Sequence, residues 1–133
     1  MILQQVRNPR LVQAWSSWDA IAEFHQELAE TKPDWAPMAE FVRQVADSRY
    51  AVGLYPGNSM ATLLIAQTPQ FEWKREVLEV EFLMQAQRFR FDFWEESGTE
   101  PHWSRECGPG EAFALLEKLL RMKRWFLDRA DSR

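Results

Sequence analysis

Two neighbouring segments, 77–84 and 87–94, alternate apolar and polar residues with a period of two, and nothing else in the chain restricts the fold as much. Leu78, Val80, Phe82 and Met84 share one side of the first, and Phe89, Phe91 and Phe93 share one side of the second. An extended strand is the geometry that puts every second residue on the same side. A hairpin around Gln85-Ala86 brings the two apolar sets together only when paired residue numbers add to an odd value, because an even sum sets Phe91 against a charged residue. A sum of 171 pairs Leu78 with Phe93, Val80 with Phe91, Phe82 with Phe89 and, on the other side, Glu81 with Arg90. A sum of 169 pairs Glu79 with Arg90 and Glu81 with Arg88, but sets Gln87 against Phe82. Cross-strand charge pairs contribute roughly 0.2–1 kcal/mol each, too little to choose the register, so the apolar pairing favours 171.

A sheet with one apolar side needs a covering layer, and helical patterns flank the alternating pair. From Ser16 or Ser17 to about residue 31, Trp18, Ile21, Phe24, His25 and Leu28 fall on one side of a helix and Asp19, Glu23, Glu27 and Glu30 on the other. Lys32-Pro33 stops it. A second helix over 34–48 collects Trp35, Met38, Phe41, Val42 and Val45 on one face, with Pro37 in its first turn. Segments 50–55 and 60–67 read as strands joined by the turn signal Pro56-Gly57-Asn58-Ser59. Residues 68–75 read as a loop or distorted strand start carrying Phe71 and Trp73, and Ser97-Gly98-Thr99 as a turn. A short edge strand over 102–107 precedes Gly108-Pro109-Gly110 and a long helix over 109–130, whose wheel gathers Leu115, Leu116, Leu119 and Leu120 and puts Trp125 on the opposite side. Residues 1–16 leave helix and irregular lead-in equally open, because Pro9 interrupts them. The prediction is one α+β domain over 1–133: two N-terminal helices, an antiparallel sheet of four or five strands, and a long C-terminal helix packed on the sheet.

Composition narrows the chemistry. With 46% apolar and 27% charged residues in 133, the chain buries a core. Its 16 basic against 20 acidic residues give −4, a balance that disfavours nucleic acid as the main partner. No apolar run approaches the roughly 18 residues a membrane span needs, and the first residues lack a signal-peptide pattern, so the expectation is a cytoplasmic protein without a membrane. A lone Cys107 with His25 and His102 predicts neither an internal disulfide nor a zinc site, and the scattered glycines form no phosphate cradle. No cofactor is expected.

His102, Ser104 and Glu106 lie on one side of the short strand, but residues two apart there are separated by roughly 6.6 Å, too far for a ready catalytic triad. Cys107 is a reactive thiol if the helix start at Pro109 favours its thiolate, and otherwise a small buried apolar group. Glu95 and Glu96 point to opposite faces of a strand, and His25 sits within an apolar face without a second ligand at helical spacing. No catalytic residue is assigned. Two features stand out instead. The acidic stripe Asp19, Glu23, Glu27 and Glu30 is single-signed over about three turns, and such a field speeds encounter with a basic partner. Among the seven tryptophans, Trp73, Trp94 and Trp125 fall outside the obvious core faces and are candidate exposed anchors. Trp94 shares the outer sheet side with Arg88, Arg90, Glu79 and Glu81, as a contact patch unless residues 1–16 or the last helix cover it.

The expectation that follows is a non-catalytic domain holding another, basic protein, with the profile of small acidic inhibitors such as immunity or antitoxin-type proteins. It rests on elimination rather than on a motif. Two alternatives stand beside it: a small enzyme or ligand-binding protein with a helix–sheet pocket near His102, Glu106 and Cys107, and a homodimer built on the outer sheet face or the 102–107 edge.

Overall fold

The computed structural model describes residues 16–68, 76–95 and 100–125. The readings of 1–15, of the 69–75 loop with Phe71 and Trp73, of the Ser97-Gly98-Thr99 turn and of the helix beyond Trp125 lie outside these residues. Helix α1 (Trp18–Thr31) starts where Ser17 Oγ accepts from Ala20 N at 3.1 Å, and ends as Lys32 N donates to Leu28 O at 2.7 Å just before Pro33. A 3-10 turn (Pro33–Trp35) leads into α2 (Ala36–Ala46), which carries Pro37 in its first turn, where a missing N–H leaves no bond unmade. A second 3-10 turn (Arg49–Val52) follows, so the strand expected from residue 50 does not begin there.

Five strands, β1 (Tyr55–Ser59), β2 (Thr62–Ala66), β3 (Val77–Leu83), β4 (Arg88–Trp94) and β5 (Trp103–Cys107), form an antiparallel meander in the order β1-β2-β3-β4-β5. β3 and β4 pair with Leu78 opposite Phe93, Val80 opposite Phe91, Phe82 opposite Phe89 and Glu81 opposite Arg90, the register that apolar pairing favours. The Pro56-Gly57-Asn58-Ser59 signal does not make a turn. These residues are β1 itself, and the chain reverses at Met60-Ala61. Two of these four residues have another use in this edge strand. Pro56, which has no N–H to donate, accepts from Ser16 N through its carbonyl at 3.1 Å. Asn58, on the inner face opposite Leu63, spends its side chain on His25.

The inner sheet face carries Leu63, Ile65, Leu78, Val80, Phe82, Phe89, Phe91 and Phe93, all buried in one cluster with α1, α2 and the last helix. Phe41 of α2 meets Phe89 and Phe91 with ring centroids 5.3 and 5.8 Å apart. After a 3-10 turn (Pro109–Glu111), α3 (Ala112–Lys123) adds Leu116, Leu119 and Leu120 to the same core. Its regular path stops earlier than the expected 109–130: Arg124 takes a left-handed conformation (φ 56°) and its N–H closes on Leu120 O and Arg121 O. That change of direction explains why Trp125 is not where an unbroken wheel puts it. Its ring lies 5.5 Å from Phe93, its Nε1–H donates to Glu76 Oε1 at 3.0 Å, and the residue is buried.

Candidate protein-binding surface

On α1 the buried positions are Trp18, Ile21, Ala22 and His25. Opposite them Asp19, Glu23, Glu27 and Glu30 are all exposed. Arg43 of α2 pairs with Asp19 at 3.5 Å and with Asp47 at 3.6 Å, and Gln26 Nε2 donates to Glu30 Oε2 at 3.5 Å. Glu23 and Glu27 have no ion pair among the described residues. Phe24, expected inside, is instead 43% exposed, its ring edge-on to His25 at 5.1 Å. The reason is angular: at about 100° per residue Phe24 lies about 110° from the middle of the arc that Trp18, Ile21, Ala22 and His25 occupy, and so falls at the border between the buried side and the acidic one. The wheel therefore already held the signal that an aromatic borders the acidic stripe.

The outer sheet face divides into two ends. At one, Trp94 lies opposite Val77 and is buried with Val77, Leu64 and Ala66, its Nε1–H donating to Glu79 Oε1 at 2.8 Å. Trp94 and Trp125 are thus not exposed anchors, because each has both apolar cover and a carboxylate for its indole N–H. At the other end the charges are spent on one another. Arg90 binds Glu81 at 2.7 Å and Asp92 at 3.2 Å, Arg88 binds Glu106 at 3.4 Å, and Ser104 Oγ donates to Asp92 Oδ1 at 2.5 Å. A partner docking there would compete with bonds already made.

His102, Glu106 and Cys107 are not brought together as a reactive group. The His102 side chain is 56% exposed, and its Nδ1 faces Glu95 Oε1 at 3.4 Å; Glu106 faces Arg88 across the outer sheet side. Cys107 is buried opposite Phe89, and burial first, then the nearby Glu111 carboxylate, pushes its thiol pKa up, the reverse of what a nucleophilic thiolate needs. Glu95 also takes Lys123 Nζ at 3.7 Å, and Lys123 lies 4.4 Å above the Phe93 ring. His25 is buried at 1% exposure between α1 and β1, with Nε2 facing Asn58 Oδ1 at 3.2 Å. That contact places the proton on Nε2 and leaves Nδ1 without a hydrogen-bond partner among the described residues. Burial lowers its pKa more than the Asn58 contact raises it. Among the described residues no group of three or more His, Cys, Asp and Glu could hold a metal ion, and no helix is long and apolar enough to cross a membrane. Compared with known proteins, the chain matches no family model, no curated protein and no solved structure, so the reading of its surface rests on its own residues.

Proposed function

We propose that the protein is a non-catalytic binding domain that holds a basic protein partner against the exposed face of α1, in the manner of a small acidic inhibitor. The observation that carries the reading is the placement of Asp19, Glu23, Glu27 and Glu30 on one exposed helix side, with Glu23 and Glu27 lacking ion pairs among the described residues. Carboxylates not committed to internal partners keep their field for an incoming cation, which raises the association rate and suppresses acidic competitors. Phe24, at the border of that field, is the apolar contact around which such an interface can exclude water. The basic partner itself is identified only by this complementarity.

The test is capture of partners from native lysate on the immobilised 133-residue chain, at low and high salt, beside a Glu23→Lys, Glu27→Lys, Glu30→Lys variant. A stoichiometric basic protein that is retained at low salt, released at high salt and lost with the variant supports the reading. No partner at either salt, or one that the variant retains unchanged, refutes it.

A further inference from the structure

Both borders of the sheet are strands, but only one is tied to a helix by specific bonds among the described residues. α1 is joined to β1 through Trp18 Nε1–H donating to Leu54 O at 2.9 Å, just before that strand, and through the His25–Asn58 contact. β5 pairs with β4 alone in the sheet, and its Ser104, Arg105 and Glu106 are exposed. An edge strand presents a row of backbone donors and acceptors that a further strand can use. We propose that this strand belongs to a second copy of the chain, paired antiparallel about a two-fold axis through Ser104, so that two five-stranded sheets become one.

The side chains select this register. A two-fold axis perpendicular to the sheet keeps both inner faces on the same side, so paired positions share parity and their numbers add to an even value. A sum of 210 sets Arg105 against Arg105 of the second copy, and a sum of 206 sets Glu106 against the second copy's Glu100, so each confronts like charges. A sum of 208 instead sets Trp103 opposite Arg105, His102 opposite Glu106, and Ser104 opposite itself. The first of these pairs repeats between copies a contact the strand already makes within one, where the Arg105 guanidinium lies 5.1 Å from the Trp103 ring centre. Arg105 is on the inner side, opposite Phe91, and an inward charge on an edge ordinarily repels a foreign strand. Here it selects a strand that carries an aromatic at the facing position, which is this strand itself. The pairing leaves each β1, with its α1, at a far end of the joined sheet, on the order of 40 Å apart at about 4.8 Å per strand. That consequence gives the acidic faces a bivalent arrangement and rests on the proposed function, whereas the pairing does not.

Sedimentation of the purified 133-residue chain over a concentration series tests the pairing directly. In a Cys107→Ser background, Ser104→Cys and His102→Cys variants, which both keep Arg105 and Trp103, are then oxidised mildly, with folding of each checked by circular dichroism. Facing residues of an antiparallel pair have Cα atoms about 4.5–5.5 Å apart, within the reach of a disulfide. The expected results are a concentration-dependent dimer, covalent dimer formed at least about tenfold faster through position 104 than through 102, and a dimer weakened at least about tenfold by Arg105→Glu. A chain that stays monomeric to about 1 mM, or that cross-links equally through 104 and 102, overturns the proposal. Neither readout involves the acidic face, so failure here and failure of partner capture are separate results.

Discussion

At the scale of single residues, His25 is the group whose burial has the plainest consequence. Its pKa is depressed in the folded chain, so below the unfolded value of about 6.5 the unfolded state takes up a proton that the folded state refuses. The neutral form's stability is therefore fully present above that pH and is lost as pH falls, by up to about 1.4 kcal/mol per pH unit. Urea midpoints measured from pH 7.5 down to 5 should fall for the wild type and fall less for His25→Gln; equal slopes would remove His25 from the account. Met60 and Gln87 make a second residue-scale comparison, since both have left-handed φ, 58° and 55°. A left-handed non-glycine residue is strained by roughly 1–2 kcal/mol. Met60 is 84% exposed at its turn, so Met60→Gly should raise stability by about 0.5 kcal/mol after the entropy of the added glycine is subtracted. Gln87 differs because its Nε2 donates to Met84 O at 2.7 Å and to Asp34 O at 3.1 Å, so Gln87→Gly should gain nothing or lose stability in the same denaturation assay.

At the scale of elements, the start of α1 depends on a short local motif. Ser17→Ala removes the acceptor for Ala20 N and should lower stability by about 0.5–2 kcal/mol, read as a shift in the urea midpoint at unchanged slope. Helix existence, the first turns, and the β3–β4 hairpin were legible because their causes are local: a capping hydroxyl three residues from the N–H it accepts, a proline after the last turn, an alternation of period two. β1 was misread for an equally physical reason. Proline, glycine and asparagine favour turns when nothing else engages them, but here Ser16 meets the Pro56 carbonyl and His25, 33 residues away, meets Asn58. The end of α3 escaped too, because an arginine in the left-handed region carries none of the signal a glycine gives.

At the scale of the whole molecule, Phe89, Phe91 and Phe93 join helices to sheet, being at most 1% exposed in a single cluster with α2 and α3. Phe91→Ala should lower stability by about 3–5 kcal/mol, a large part of what a domain of this size possesses, while Glu27→Ala on the exposed face of α1 should stay within about 0.5 kcal/mol. Thermal denaturation of the two variants beside the wild type checks that contrast. The acidic stripe was readable as a pattern, and its exposure follows from the buried face opposite. The fate of the tryptophans was not readable: whether Trp94 and Trp125 are anchors or core depends on Glu79 and Glu76 standing 15 and 49 residues away to take their indole N–H groups. By itself the sequence determined which side of each helix and of the central hairpin is apolar, hence an α+β architecture and the β3–β4 register, because periodicity and burial act along one segment at a time. Only the tertiary structure decided which charges are already paired, which edge strand carries a helix and which aromatics reach the surface, because those outcomes depend on groups distant in the chain that meet only when it folds.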